Sequence, residues 1–333
     1  MSVDVGRDPL GEQQTLSFDD LLATAKAEIG KVVIGHERAV EAMMIAVLSR
    51  GHILLEGPPG SAKTLLARVL ARTIGGHFRR VQMTPQTRPA DIIGELVRQG
   101  PEEVFHKGPI FTNVFLADEI NRGPAQTQAA LLEAMQERHV TMGGRTYWID
   151  APFTTVATQN PYEHQGVYPL AESQLDRFLV KVEVGYPDGD EERNVLELTH
   201  RGPATEVIGD ITPFLANGML VRAQEFVDET EVPTELAQRI VDIVRYTRSA
   251  RGVELGASTR AAVHLFAAAK SQAVLRGSRS VTAEDVKATA YLVLPHRILA
   301  DDPYRVVREA VMSAFQEAPV VALAPPPPLP PHH

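Results

Sequence analysis

Short apolar runs in the first half of the chain alternate with segments of helical periodicity. The runs at 52–55, 114–117 and 153–157 have the length and the aliphatic or β-branched character of buried strands. The segment 126–137 instead places apolar residues at the three- and four-residue spacing of one helix face. Alternation of strands and helices is typical of an α/β domain built on a parallel sheet.

The pattern changes near residue 189, where the apolar runs stop and only helical periodicity remains. We predict an α/β domain over 15–188 and an all-α domain over 189–320. The polar stretch 1–14 and the proline-rich stretch 321–333 are expected to be unstructured tails. The helices predicted for the second domain cover 191–200, 219–227, 234–250, 259–276, 282–294 and 303–317.

The sequence GPPGSAKT connects the first predicted strand to a predicted helix. A strand, a glycine-rich turn and a helix direct backbone N–H groups and the positive end of the helix dipole to one point, which suits a polyphosphate. Lys63 is predicted to contact the β- and γ-phosphates, and the Thr64 hydroxyl to bind magnesium. An ordinary turn with chance glycines is the alternative. The residues predicted to surround the nucleotide here are Gly57, Pro58, Pro59, Gly60, Ser61, Ala62, Lys63, Thr64 and Leu65.

Two features beside this loop bear on how it works. Ala62 stands where the strict pattern has glycine, and we expect its methyl group to narrow the loop's conformations without closing it, because Gly57 and Gly60 still allow positive φ. Small apolar residues just before a phosphate loop often form the wall for a purine base. Residues 33–35, which are Val33, Ile34 and Gly35, are therefore predicted to contact adenine, with plain packing at a helix entry as the alternative.

Polar residues end two of the predicted strands. Asp118 and Glu119 follow the second run, and Asn160 follows the third. Because ligands bind at the carboxyl edge of an open parallel sheet, these side chains should face the phosphate loop. Asp118 is predicted to hold magnesium directly or through water, Glu119 to polarise the attacking water, and Asn160 to reach the γ-phosphate and that water. Chance carboxylates and a turn-forming Asn before Pro are the alternatives.

Two arginines complete the predicted chemistry. Arg177 lies between a short helix and the last strand, where an exposed arginine at a subunit boundary can reach a neighbour's nucleotide, although an ion pair is the simpler role. Arg260 lies at the start of a predicted helix, where a cation gains nothing from the helix dipole. We therefore expect an anion close to Arg260.

Residues 84–111 form an unusually long connection, which we expect to contain surface hairpins. A second hairpin is predicted to turn at Gly143–Gly144. In a ring the hairpins of 84–111 would face an axial channel, while a solvated loop is the alternative for that segment.

Composition restricts the partners and the compartment. A formal net charge of −9 at pH 7 argues against a broad surface for nucleic acid or anionic membrane, so protein partners are expected. The absence of cysteine excludes disulfides, thiolate zinc sites and cysteine nucleophiles. The N-terminus lacks the pattern of a signal peptide, and the longest apolar patches are far shorter than a membrane span. We expect a cytoplasmic protein with no membrane span.

The order of these motifs resembles AAA+ ATPases, and more narrowly the MoxR family. The resemblance covers roughly residues 16–318 and is carried by GPPGSAKT, FLADEINRGPAQTQAALLEAMQE, VATQNPYEHQGVYPLAESQLDRF and GASTR. It implies a P-loop NTPase core with a parallel sheet, followed by an all-α lid, and hydrolysis of ATP with Mg²⁺. It also implies that Asn160 is sensor 1, Arg177 the arginine finger that acts in trans, and Arg260 sensor 2, reaching the nucleotide from the lid. Arg122 is the alternative finger.

The same resemblance implies a nucleotide-dependent homo-oligomeric ring, usually a hexamer, that acts as a chaperone-like remodelling motor on a protein client. A separate protein with a von Willebrand factor A domain is the implied partner. Two alternatives stay open at this stage. One is a slowly hydrolysing, nucleotide-gated binding scaffold, and the other is a DNA-translocating motor, which the acidic charge balance disfavours.

Overall fold

The computed structural model describes residues 21–163, 166–199, 207–216 and 218–316. The two tails predicted at 1–14 and 321–333 lie outside the described residues. No helix in the described part of the chain is both long enough and apolar enough to cross a membrane.

Five strands form one parallel sheet, as expected for an α/β domain. The described strands are β1 (Ile53–Glu56), β2 (Phe78–Gln82), β3 (Gly94–Gln99), β4 (Glu102–Lys107), β5 (Val114–Asp118), β6 (His139–Met142), β7 (Arg145–Trp148), β8 (Thr154–Gln159), β9 (Val180–Glu183), β10 (Val253–Leu255) and β11 (Leu299–Ala300). The order across the sheet is β2-β5-β8-β1-β9, and the three apolar runs correspond to β1, β5 and β8. Because β1 lies between β8 and β9, its carboxyl end lies beside that of β8, the central strand, at the ligand-binding edge.

Helices cover both faces of the sheet and continue into the second domain. The described α-helices are α1 (Leu21–Gly30), α2 (Glu37–Leu48), α3 (Lys63–Thr73), α4 (Ala90–Ile93), α5 (Ala125–Glu137), α6 (Glu172–Leu175), α7 (Gly189–Thr199), α8 (Met219–Glu229), α9 (Thr234–Ser249), α10 (Thr259–Leu275), α11 (Ala283–Val293) and α12 (Pro303–Phe315). The prediction of an all-α second domain needs one correction, because β10 and β11 pair antiparallel within it. These strands are too short for a periodicity of two to be visible in the sequence.

Alternate residues of the central strands point into two separate cores. Ile53 and Leu55 belong to one buried cluster, while Leu54 belongs to another together with Phe115 and Ala117. This alternation follows from the two-residue period of a strand. Every residue from Val114 to Asp118 is buried, because helices or loops cover both faces of the sheet.

The helical domain shares its core with one face of the sheet. Leu265 of α10 and Val306 of α12 lie in the same buried cluster as Ile53. Hydrogen bonds add to this packing, since Gln224 Nε2 donates to the Val47 carbonyl at 2.8 Å. The second domain is therefore packed against α2 by a continuous apolar interior.

Two antiparallel hairpins project from the α/β domain. One pairs β3 with β4, as expected for 84–111, and the other pairs β6 with β7 and turns at Gly143–Gly144. The ring centroids of Phe105 and Tyr147 lie 4.2 Å apart, so the two hairpins pack against each other. Both hairpin predictions are confirmed, and the orientation of the β3–β4 hairpin toward a channel stays a prediction.

A buried arginine joins the two domains. Arg297, of which 1% of the side chain is exposed, donates from Nε to Asp176 Oδ1 at 2.9 Å. Its guanidinium also donates to the carbonyls of Phe178, Leu179 and Val293. Burial lowers the pKa of Arg297 to about 10, against the opposing effect of Asp176, so it stays protonated at neutral pH. One side chain thus connects the entry of β9 to the end of α11.

Two histidines near this junction are neutral: His52, which is buried, and His264, which is half-buried. His52 accepts from the Thr155 N–H at its Nδ1 and therefore donates from Nε2 to the Met135 carbonyl, both at 3.0 Å. Burial lowers the pKa of His52 to about 4. Burial and the charge of Arg297 lower the pKa of His264 to about 3.

We expect the free energy of unfolding to fall as the pH drops below 6.5. Unfolded histidines bind protons with a pKa of 6.5, whereas His52 and His264 stay neutral in the fold down to much lower pH. Each therefore costs about 1.4 kcal/mol of stability per pH unit below 6.5, until its folded pKa is reached. Urea unfolding at a series of pH values measures this slope.

His52→Gln should flatten the pH dependence, because glutamine can donate to the same carbonyl without titrating. The exposed His106 provides the control, and His106→Gln should leave the slope unchanged. An identical slope in wild type and His52→Gln would contradict the assignment.

Candidate functional site

In the phosphate loop one glycine is packed closely against the end of a neighbouring strand, and two residues have a left-handed backbone conformation. A Cβ added at Gly57 would lie 2.1 Å from the carbonyl oxygen of Val184, so glycine is required there for space. The left-handed residues are Gly60 and Ala62, with φ of 81° and 60°. The expectation that Gly57 provides positive φ is therefore wrong. Ala62 itself takes the glycine conformation, which costs a residue with a Cβ on the order of 1 kcal/mol.

Lys63 begins α3, and its ammonium group lies within the loop. Its Nζ donates to the carbonyls of Gly57 at 2.8 Å and Pro58 at 2.6 Å, and to the Ser61 hydroxyl at 3.2 Å. Burial lowers the pKa of Lys63, against the opposing effect of the carboxylates of Asp118 and Glu119. The backbone of the loop thus positions a cation at the start of a helix, as the sequence predicts.

Asp118 ends the buried strand β5 and is held from three directions. The Thr158 hydroxyl donates to its Oδ1 at 2.6 Å, and the Thr64 hydroxyl lies 3.5 Å from its Oδ2. Arg80 of β2 donates to the same Oδ2 from Nε at 2.9 Å. These contacts bring the predicted metal ligands Thr64 and Asp118 together.

Glu119 lies one residue beyond the strand in a left-handed conformation, with φ of 56°. This backbone turn directs its carboxylate away from the sheet interior. Its Oε2 accepts from Gln82 Nε2 at 3.3 Å and from Arg122 Nη1 at 3.0 Å. The hydrogen bond to Glu119, with the charges of Glu163 and Glu119, raises the pKa of Arg122. Arg122 is therefore engaged by the carboxylates of its own chain.

Lys63, Asp118 and Glu119 line one pocket of about 360 Å³ at the carboxyl edge of the sheet. Asn160 follows β8 and lies on this pocket, and its side-chain Oδ1 accepts from the Tyr162 N–H at 3.1 Å. Asn160 therefore both forms a turn and lies on the pocket. The predicted residues that the structure brings together here are Pro59, Gly60, Ser61, Ala62, Lys63, Thr64, Leu65, Asp118, Glu119 and Asn160.

A second, mostly apolar pocket of about 470 Å³ adjoins the first, and Gly60, Ala62 and Leu65 line both. Val33 and Ile34 form part of its wall, as predicted for residues that contact adenine. Gly35 is not among its lining residues. It turns the chain with φ of 75°, and a Cβ there would meet a carboxylate oxygen of Glu191 at 2.5 Å.

The residues beside the phosphate loop fit a magnesium ion. Mg²⁺ prefers hard oxygen donors and usually keeps several waters when it binds to one or two protein ligands. The Thr64 hydroxyl and the Asp118 carboxylate supply such oxygens 3.5 Å apart. Asp118 Oδ1 is fixed by Thr158, and Oδ2, which accepts from Arg80, also faces the Thr64 hydroxyl.

The anion expected near Arg260 is a carboxylate of the same chain. Arg260 Nη1 donates to Asp176 Oδ2 at 3.3 Å, and the hydroxyl of Ser258, which caps α10, donates to both Asp176 oxygens. Arg260 is not among the residues that line the phosphate pocket. The structure therefore does not bring Arg260 to the pocket of its own chain, because the shared core holds α10 against the entry of β9.

Arg177 follows Asp176 directly and forms no ion pair within the described part of the chain. Its Nε is buried without a hydrogen-bond partner. The neighbouring carboxylate of Asp176 pairs with Arg260 and Arg297 instead. The simpler role of an ion pair within the chain is therefore not seen for Arg177. It does not line the phosphate pocket of its own chain either.

Four residues of the pocket were not among the predicted site residues: Arg80, Gln82, Thr158 and Gln159. Arg80 and Gln82 are two residues apart on β2, so they share a face of the strand and both reach the pocket. The sequence pattern that could have indicated Arg80 and Gln82 is a pair of polar residues two positions apart at the end of a strand. That strand lies beside β5, which carries Asp118. The pattern is a weak indication, because such spacing is common on edge strands.

Comparison with known proteins agrees with this geometry. Residues 52–180 match the sequence profile of the family described as "ATPase family associated with various cellular activities (AAA)". Residues 245–314 match the profile of an AAA lid domain. The first match covers the strands β1, β2, β5 and β8 of the sheet with the phosphate pocket, and the second covers the helical domain from the end of α9 to α12.

Several relatives are similar over most of their length. The chain is 45% identical to "Chaperone MoxR1" of Mycobacterium tuberculosis, over 84% of this chain and 75% of that protein. It is 31% identical to "Protein MoxR" of Paracoccus denitrificans, over 88% and 93% of the two chains. A crystal structure from Cytophaga hutchinsonii superimposes with a TM-score of 0.80 at 34% identity and covers 92% of this chain and 97% of the other.

Proposed function

The chain belongs to the MoxR family of AAA+ ATPases, and we propose that it hydrolyses ATP to remodel or assemble a protein client. The observation that supports this most directly is the pair of adjoining pockets. One is apolar and suits a base, and the other collects a lysine, a hydroxyl and two carboxylates at the end of a parallel sheet. Adenine beside Val33 and Ile34 would direct its phosphates to Lys63.

Charge and positioning carry the chemistry, because phosphoryl transfer needs little covalent help from the protein. Thr64 and Asp118 would hold magnesium, which supplies positive charge beside the β- and γ-phosphates. Lys63 offsets the charge of the phosphate oxygens, Glu119 accepts the proton of the attacking water, and Asn160 orients that water. Each of these residues lies on the same pocket.

A neighbouring subunit completes the site. Arg177 and Arg260 both lie beside Asp176 and outside the pocket of their own chain. Arg177, which forms no ion pair within the described part of the chain, is suited at such a position to neutralise transition-state charge in an adjacent protomer. We propose a homo-oligomeric ring, with six subunits as the expected number, in which activity requires assembly.

A complementation experiment tests this arrangement. Lys63→Ala disables the pocket and keeps Arg177, whereas Arg177→Ala keeps the pocket. Each variant alone should hydrolyse ATP slowly, and an equimolar mixture should recover turnover well above the mean of the two, because mixed interfaces pair an intact pocket with an intact arginine. Steady-state phosphate release at fixed total protein concentration is the measurement.

Arg122 is the matched control for this test, because Arg122 Nη1 already binds Glu119 in its own chain at 3.0 Å. Mixing Arg122→Ala with Lys63→Ala should give no recovery. If Arg122 acts only on the pocket of its own chain, the Arg122 of a Lys63→Ala subunit serves a disabled pocket and cannot replace the one missing from its neighbour. Recovery with Arg122→Ala and none with Arg177→Ala would make Arg122 the trans-acting residue.

The proposals about the client and the adaptor rest on family membership and not on the geometry of the pocket. We propose that a separate protein with a von Willebrand factor A domain links the ring to its client. The two packed hairpins, β3–β4 and β6–β7, are the surfaces proposed to face the channel and the client. Nucleic acid is an unfavourable substrate for a chain with a net charge of −9.

A further inference from the structure

A second cation of this chain reaches the phosphate pocket from β2. Arg80 pairs in register with Leu116 of β5, and its side chain lies on the pocket with Lys63 and Asp118. The neighbouring residue Arg79 points to the other side of the strand, where it lines a different cavity. The strand therefore delivers one of two adjacent arginines to the site.

Arg80 shares a single carboxylate oxygen with the predicted metal site. Its Nη2 lies 2.7 Å and its Nε 2.9 Å from Asp118 Oδ2, the oxygen that also lies 3.5 Å from the Thr64 hydroxyl. A further hydrogen bond from Nη2 to Gln82 Oε1 at 2.9 Å holds the guanidinium in this orientation. Gln82 in turn contacts Glu119, so Arg80 is linked to both carboxylates of the pocket.

Structural support alone accounts poorly for this arginine. Asp118 is already fixed by Thr158, and the Arg80 side chain is 38% exposed although Asp118 is buried, so the guanidinium is accessible to a ligand at the mouth of the pocket. A planar guanidinium at the mouth of a polyphosphate pocket is, in contrast, well suited to bind phosphate oxygens.

We propose that Arg80 is a nucleotide-contacting residue that moves between Asp118 and the phosphates of the nucleotide bound in its own chain. This inference rests on the proposed function. A divalent cation at Asp118 Oδ2 and a guanidinium on the same oxygen repel each other, so the metal favours the orientation of Arg80 toward phosphate. Without metal, Arg80 neutralises Asp118 and so removes its repulsion of the nucleotide.

The inference predicts a change in how magnesium affects binding. Arg80→Ala leaves Asp118 unneutralised in EDTA, and the affinity for a fluorescent ATP analogue should fall by about tenfold or more, the effect of one charge-assisted hydrogen bond. In excess MgCl₂ the metal neutralises Asp118, so the substitution removes only the contact of Arg80 with phosphate. The loss should therefore be smaller than in EDTA, where the substitution removes both that contact and the neutralisation of Asp118. The ratio of the dissociation constants in EDTA and in MgCl₂ should therefore rise in Arg80→Ala.

Two further variants make the experiment specific. Arg79→Ala removes the adjacent arginine outside the pocket and should keep the wild-type ratio. Arg80→Lys retains the charge and should restore most of the affinity in EDTA. Thermal melting of each variant checks that the fold is intact, and binding of the analogue by titration is the readout, independent of turnover.

The outcomes separate the two proposals. An unchanged ratio in Arg80→Ala, or an equal loss of affinity in both buffers, would overturn the role of Arg80 while leaving the nucleotide site intact. Absence of binding by the wild-type protein in both buffers would overturn the proposed function and this inference together.

Discussion

Glu119→Gln is expected to lower ATP turnover by about 10²–10⁴-fold, the usual contribution of a general base, while ATP binding is retained. The substitution preserves the shape of the side chain and removes its ability to accept a proton. In the structure Glu119 Oε2 lies 3.3 Å from Gln82 Nε2 and 3.0 Å from Arg122 Nη1, so the carboxylate is held at the pocket by two donors. Phosphate release and binding of a fluorescent ATP analogue measure the two quantities separately.

Glu163 supplies the matched control, because its carboxylate also faces Arg122, at 3.7 Å, without lining the pocket. Glu163→Gln should leave turnover close to that of the wild type. If Glu119→Gln hydrolysed ATP at the wild-type rate, or if the two variants lost activity equally, the role of Glu119 as the base would be wrong.

The same variant is the reagent for finding the client. A ring that binds ATP and hydrolyses it slowly should retain its partners, so affinity isolation of Glu119→Gln with ATP should enrich the client and any von Willebrand factor A protein. Lys63→Ala, which should not bind nucleotide, provides the comparison. Partners held equally by both variants would indicate nucleotide-independent binding.

Arg297→Ala is expected to reduce the free energy of unfolding by about 3–5 kcal/mol, the range measured when one partner of a buried ion pair is removed. Only 1% of the Arg297 side chain is exposed, and its loss would leave the carbonyls of Phe178, Leu179 and Val293 without this donor. Asp176 would also lose a partner inside the protein. Urea unfolding at neutral pH gives the value.

Arg260→Ala is the control, because Arg260 binds the same carboxylate but is 42% exposed. Its loss should cost less than about 1 kcal/mol, as for most exposed ion pairs. Similar destabilisation by both substitutions would show that the domain junction does not depend on the buried guanidinium. Arg297→Ala should also lower turnover, because Arg177 lies between Asp176 and Phe178, both of which Arg297 contacts.

Local pattern was sufficient for most of the fold and for the centre of the site. The apolar runs and the helical spacing predicted the sheet and the order of helices in the second domain, and the long connection 84–111 and the Gly143–Gly144 turn predicted the hairpins. The loop Gly57–Thr64 and the pair Asp118–Glu119 could be placed together because parallel strands present their carboxyl ends at one edge. These features depend on residues close in sequence, or on a general property of parallel sheets.

Contacts between distant segments were decided only by the tertiary structure. Arg80 reaches Asp118 because β2 lies beside β5, which is a fact of strand order. Arg260 and Arg297 converge on Asp176 because the second domain shares a core with the sheet, and no periodicity in the sequence encodes that packing.

The sequence by itself determined the phosphate loop, the two carboxylates and the succession of elements, since these arise from local spacing and from the period of each element. The tertiary structure decided which arginine serves which carboxylate, and it left Arg177 without a partner among the described residues. The physical reason is that ion pairs depend on distances of a few ångströms between side chains far apart in the chain, which are fixed only when the cores close.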